Sequence, residues 1–213
     1  MADHFPGYDV LAKRDGPSWN PKTRAVIAAR IALAVDPEVL GPARTATLQA
    51  IADRIAPQPP GRAPVNTAAL LIDKIRKGAS DGYRPEGLPP LQQAWTIGLD
   101  AIEAEAQARH AAPFAALPGD QADALLRAVE KGSASDPAWA SLAPKLFWDW
   151  RLLPDIVSAY CAHPSIWSAM GFGGPAAPRG YVRMEANRRD GWEAAEAGDG
   201  PLIPAAFRNR HVR

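Results

Sequence analysis

The chain has 213 residues, of which 47% are hydrophobic and 22% charged, and a formal net charge of +1. That supports one ordinary domain with a core and excludes a global basic field that would draw nucleic acid or an anionic membrane. A single cysteine, Cys161, excludes an internal disulfide and any multi-cysteine metal or iron–sulfur site within the chain, and no apolar run is long enough to span a bilayer.

Residues 1–20 carry Pro6, Gly7, Gly16, Pro17 and Asn20, which predict an extended arm. Phe5, Tyr8 and Trp19 are costly to leave in water, so the arm should lie across a surface, its own or a partner's. The N-terminus shows no apolar signal core and no Arg-Arg pair. From this sequence the expectation is a cytoplasmic chain, or a periplasmic one where a partner carries the signal or the chain was trimmed.

Helical period begins after Asn20, a cap residue followed by Pro21, with Ile27, Ile31 and Ala34 as the expected stripe. Leu48, Ile51, Ala52 and Ile55 fall at i, i+3, i+4 and i+7. Ala68, Leu71, Ile72 and Ile75 repeat the pattern between Asn66 and Gly78. The prolines of PQPPGRAP (57–64) make a stiff connector, and GASDGYRPEGLPP (78–90) is a second break. Leu91, Ala94, Trp95, Gly98 and Ile102 then mark the buried face of a longer helix, and Glu103, Glu105, Gln107 and Arg109 read as its solvated end. Pro118 opens a helix with Ala122, Leu125, Leu126 and Val129 on one stripe, closed by Gly132. From Trp139 to Tyr160, Pro144 and Pro154 predict two or three short helices meeting at kinks. No alternating or β-branched run appears. The expected fold is all-α: an irregular bundle of about six to eight helices with long ordered loops, divided into an arm (1–20), a single helical domain (21–190) and a C-terminal tail (191–213) with a basic, frayed end.

The catalytic templates are not met. His4, His110, His163 and His211 stand far apart, without the i+3 or i+4 spacing of helical metal ligands. His163, in AHPS, reads as a cap or packing residue, and Cys161 as a small buried one. Glu103 and Glu105 point to different helix faces and do not form an acid–base pair. We therefore assign no catalytic, cofactor-binding or metal residue. Gly171-Phe172-Gly173-Gly174-Pro175-Ala176 fits G-x-G-x-x-G/A, but that pattern binds a dinucleotide only between a strand and a helix, and no βαβ unit surrounds it. The same stretch can form a rigid corner, with Gly171, Gly173, Gly174, Pro175 and Pro178 setting its shape. It can equally form a docking loop, because Trp167, Met170, Phe172, Arg179, Tyr181 and Arg183 have the composition of protein interfaces. Composition alone leaves both open.

The string from Tyr160 through His163-Pro164, Trp167 and Gly171-Phe-Gly-Gly-Pro175-Ala-Ala-Pro-Arg179-Gly-Tyr181 resembles the small (third or gamma) subunit family of gluconate 2-dehydrogenase. Weaker likeness, at Phe147-Trp148, Leu152-Leu153, the 117–130 helix and TLQAIADRIAPQ (47–58), extends it over about residues 45–185. The resemblance implies a non-catalytic subunit that binds and stabilises a large flavoprotein of the glucose–methanol–choline oxidoreductase type and aids its assembly. FAD would sit in that partner, none in this chain. A cytochrome or another acceptor would take the electrons; nucleic acid and a direct membrane span are not expected. In many members the small subunit also carries a twin-arginine signal, which this sequence lacks. Two alternatives remain beside this reading: a stand-alone enzyme with its site near His163, Arg179 and Tyr181, and a transient assembly chaperone.

Overall fold

The computed structural model describes residues 4–79, 82–177, 180, 191–197 and 203–210. Its helices are α1 (Pro21–Ala32), α2 (Pro42–Ile55), α3 (Thr67–Arg76), α4 (Leu91–His110), α5 (Gly119–Lys131), α6 (Pro144–Phe147), α7 (Leu153–Cys161), α8 (Pro164–Ala169) and α9 (Ala205–Asn209). The fold is all-α: among the described residues no strand forms, and a single bridge pairs Trp19 with Ala177. No helix is long and apolar enough to cross a membrane among the residues described.

The chain gathers into two compact units that do not follow its linear order. One comprises residues 34–57 and 66–160, the other residues 1–33, 58–65 and 161–213.

The first unit is organised around α4. Its stripe buries Ala94, Trp95, Leu99 and Ile102 against Leu48 and Ile51 of α2, Leu71 and Ile72 of α3, and Leu125 and Val129 of α5. Gly98 has a packing role, because the Phe147 ring lies where a Cβ would stand. That ring is fixed edge-on to Trp95, with centroids 5.3 Å apart, and tilted against Trp139 at 6.1 Å. Gly78 and Gly132 close α3 and α5 at φ +60° and +69°. In each case the glycine N–H and the following N–H reach back to the last turn, Gly132 to Val129 and Ser133 to Ala128 at 3.0 and 2.8 Å. This is the paired closure that only glycine adopts without strain.

Two expectations are corrected here. The acidic end of α4 is not solvated. Glu105 is 2% exposed; its Oε1 accepts from the Ser135 and Asp136 amides at 2.5 and 2.7 Å, and Arg109 pairs with Oε2 at 2.6 Å. Glu103 accepts from the Phe114 amide at 3.0 Å and from Thr47. These carboxylates fasten loops that have no periodic backbone partners of their own. The short helices expected between Trp139 and Tyr160 do form, but Pro144 and Pro154 do not divide them as simple kinks. Pro144 is the first residue of α6, and Trp148–Leu152 forms a π-helical stretch leading into α7. That wider turn accommodates Pro154, whose nitrogen cannot donate.

The second unit has a smaller core of Tyr8, Val10, Trp19, Ile27, Trp167 and Ala194, with Phe5, Leu11 and Trp192 against it. The arm thus lies on its own unit. It contains a short 3-10 turn, Val10–Lys13, and Arg62 of the proline-rich connector donates to the Tyr8 and Phe5 carbonyls at 2.8 and 3.0 Å. The Asn20 side chain caps α1 by accepting from the Thr23 amide at 2.8 Å, as the sequence indicates. The stripe expected on α1 is only partly right. Ile27 is buried, but Ile31 is 40% exposed, and Ala34 is exposed beyond the helix end, where Leu33 turns extended.

Candidate functional site

Helix α8 and the loop after it are built by local rules. His163 precedes α8 with extended backbone, and its Nδ1 accepts from the Ser165 amide at 3.1 Å. The imidazole therefore caps the helix. It is buried, and that burial, followed by the nearby Arg30 charge, holds its pKa below the ordinary value. At the other end Gly171 takes φ +67°. Its N–H donates to Ser168 O at 3.2 Å, the Phe172 N–H donates to Trp167 O at 2.8 Å, and the Phe172 ring meets Trp167 edge-on at 6.0 Å. Two reaching-back amides plus an apolar contact across the closure make a complete Schellman cap. Gly-Phe-Gly at 171–173 begins as a helix stop.

The loop is then tied to the arm. The Val10 amide donates to Ser168 Oγ at 3.0 Å, the Trp19 indole N–H to Pro175 O at 2.8 Å, and the Asn20 amide to Ala177 O at 2.9 Å. A Cβ on Gly171 would stand 2.5 Å from the Phe5 ring. One on Gly174, which has φ +65°, would stand 3.0 Å from the Trp167 ring and 3.2 Å from Val10. Both glycines let aromatic residues approach the backbone closely. Gly173 is buried between them. Trp167 itself is 6% exposed, donates its indole N–H to Cys161 O at 2.7 Å and carries the Arg30 guanidinium over its ring at 5.6 Å. It braces the loop from inside. Met170 and Phe172 stand outward, 49% and 47% exposed. Pro178, Arg179, Tyr181 and Arg183 lie outside the described residues.

The fit to a dinucleotide is poor. A helix rather than a strand precedes Gly171, and Gly174 faces Trp167 and Val10 instead of open space for a pyrophosphate. Among the described residues no group of three or more His, Cys, Asp and Glu is placed to hold a metal. The most chemistry-like constellation escaped the sequence reading. In the first unit Asp155, 2% exposed, accepts from Lys74 Nζ at 2.8 Å and from the Trp95 indole at 2.9 Å. Its two partners, Lys74 and Trp95, lie 81 and 60 residues away in sequence, so no local signal marks them. Both contacts are charge-assisted and joined to the core, so they fix α3, α4 and α7 together. Cys161 is half-buried, not fully buried, and free.

The family model described as gluconate 2-dehydrogenase subunit 3 matches residues 42–174, from the first residue of α2 to the end of the glycine turn. No curated protein and no solved structure matches the chain.

Proposed function

Because the chain belongs to the gluconate 2-dehydrogenase subunit 3 family, we propose that it is the accessory small subunit of a heteromeric FAD-dependent alcohol or sugar dehydrogenase. Its partner would be a flavoprotein of the glucose–methanol–choline type, which this chain binds, stabilises and helps to assemble. The observation that carries the reading is the family match across α2 to α8. FAD and the reacting alcohol belong to the partner, and electrons pass from there to a cytochrome or another acceptor. No residue of this chain is given a part in that chemistry.

The loop geometry supports a role in contact. A closure that holds Trp167 inside and projects Phe172 and Met170 outward offers rigid apolar area at little further entropic cost, which suits an anchor. In this reading Trp167 braces the surface and Met170 and Phe172 touch the partner, with Arg179, Tyr181 and Arg183 as the further contact residues that the sequence suggests. The stand-alone-enzyme alternative would place its site around His163, Arg179 and Tyr181, with Tyr181 as acid and Arg179 as anion clamp; of these His163 serves as a helix cap through its Nδ1.

The test is a pull-down of the tagged chain from its native cell. Recovery of a second, larger protein with a flavin absorbance spectrum is expected. Recovery of this chain alone, colourless, would overturn the reading.

A further inference from the structure

In the first unit, the loop before α4 and the π-helical stretch place two aromatic rings together in the open. Tyr83 is 69% and Trp150 44% exposed, and their centroids lie 5.8 Å apart. Leu153 and Val157, one turn apart on α7, are exposed as well. Large apolar side chains scattered singly on a surface need no explanation, but four from adjoining segments do. Beside them opens a cavity of about 570 Å³ whose lining includes Arg76, Lys77, Arg84 and Arg151, together with Leu91 and Gln92 of the first turn of α4. The chain itself joins the two features: Arg84 follows Tyr83, and Arg151 follows Trp150.

The charge of this cavity has one sign. Arg76 and Lys77 share a single carboxylate, Asp73. Arg84 donates to the backbone carbonyl of Leu88, a contact that cancels no charge. Among the described residues no carboxylate lines the cavity. Even with Asp81 and Glu86, which the sequence puts in the same loop, the four cations outnumber the carboxylates Asp73, Asp81 and Glu86. The positive end of the twenty-residue α4 adds to the same sign. Cations beside exposed tryptophan and tyrosine are the residue types that dominate binding energy at protein interfaces, and their complement is an apolar segment carrying carboxylates.

We propose that Tyr83, Trp150, Leu153 and Val157 with the adjoining cationic cavity form a docking surface for the partner dehydrogenase subunit. It takes a segment of that protein in which an apolar side chain stands next to Asp, Glu or a terminal carboxylate. This inference rests on the subunit reading above and adds the surface through which it operates. The apolar side chains supply buried area and the arginines fix register through forked hydrogen bonds.

The experiment is the same pull-down of the full-length tagged chain, run in parallel with three variants. One is Tyr83→Ser/Trp150→Ser, one is Arg76→Gln/Lys77→Gln, and the control is Glu130→Gln, exposed on α5. Tyr83→Ser alone is a fourth, because a side chain 69% exposed can be removed without opening the core if the double variant folds poorly. Expected is a loss of flavoprotein recovery of at least tenfold in the aromatic variant, a smaller and salt-sensitive loss in the cation variant, and wild-type recovery in the control. Full recovery in both surface variants would overturn the docking surface while leaving the subunit reading intact. No flavoprotein with the wild-type chain would overturn the subunit reading first, and this inference with it. If the purified chain sediments as a dimer that Trp150→Ser dissolves, the surface belongs to a second copy and the proposal fails.

Discussion

Gly98→Ala pits two known effects against each other at one position. Inside a helix, alanine is favoured over glycine by about 1 kcal/mol, so on propensity alone the change stabilises. Against this, the new methyl would coincide with the Phe147 ring. That ring has little room to yield, since it is fully buried with Trp95 against its edge and Trp139 on another side. Overpacking of a filled core costs about 1–3 kcal/mol, and the double constraint places this site in the upper half of that range. The net expectation is a loss of about 1–2 kcal/mol, equivalent to a fall in Tm of about 2–8 °C for a chain of this size. Urea and thermal unfolding followed by circular dichroism would measure it. Phe147→Leu supplies the control, because it removes the obstructing ring. Combined with Gly98→Ala it should cost about 1 kcal/mol or more less than the sum of the single changes. A higher Tm in Gly98→Ala, or strict additivity in the pair, would refute the packing argument.

Glu105→Ala should cost about 2–4 kcal/mol, since it strips the acceptor from two amides and the partner from Arg109, and amide exchange at Ser135 and Asp136 should accelerate. Glu105→Gln, which keeps an acceptor oxygen, should lose clearly less; equal losses would mean the cost is packing. Gly171→Ala forces a left-handed conformation worth about 1–2 kcal/mol on a side-chain-bearing residue and pushes on Phe5. Trypsin should therefore cut at Lys13 and Arg14 faster than in the parent, and an unchanged cleavage rate would count against the arm-to-loop latch. His163 has a folded pKa below its ordinary value of about 6.5, so below that pH the unfolded chain takes up a proton that the folded one resists. Stability from this residue is present above pH 6.5 and falls as pH drops further. His163→Asn, which keeps a capping acceptor, should flatten that part of the stability profile, and an unaltered slope would remove His163 as its source.

The helices were legible wherever one local rule decided them. Asn20 caps, Pro21 starts, Gly78 and Gly132 stop, and the stripes of α2 to α5 bury the residues that the spacing selects, apart from Ile55, which is only partly buried. What stayed hidden depends on partners far along the chain. Glu105 looked solvated because charge and position in the last turns of a helix usually mean exposure; the two amides it holds lie 30 and 31 residues away. Ile31 looked buried because it shares a stripe with Ile27, yet of the two Ile27 alone joins the second unit's core. The pairing of the arm with the loop spans 156 to 158 residues, beyond any periodicity. At the site, the glycines announced a rigid turn, and the cap residue His163 could be read from its place before Pro164. The split between Trp167 inside and Phe172 outside could not, because both are aromatic and lie five apart. The Tyr83–Trp150 surface left only a faint trace, two aromatics each followed by arginine.

The central claim, that this 22.7 kDa chain works as the small subunit of a flavin dehydrogenase, is tested most directly by the native mass of the complex it forms in its own cell. The account predicts a species heavier than the chain by one large protein that releases flavin on denaturation, and whose flavin absorbance is bleached anaerobically by an alcohol, sugar or sugar acid. A chain that runs at its own mass, free of flavin, and turns over such a substrate unaided would contradict it.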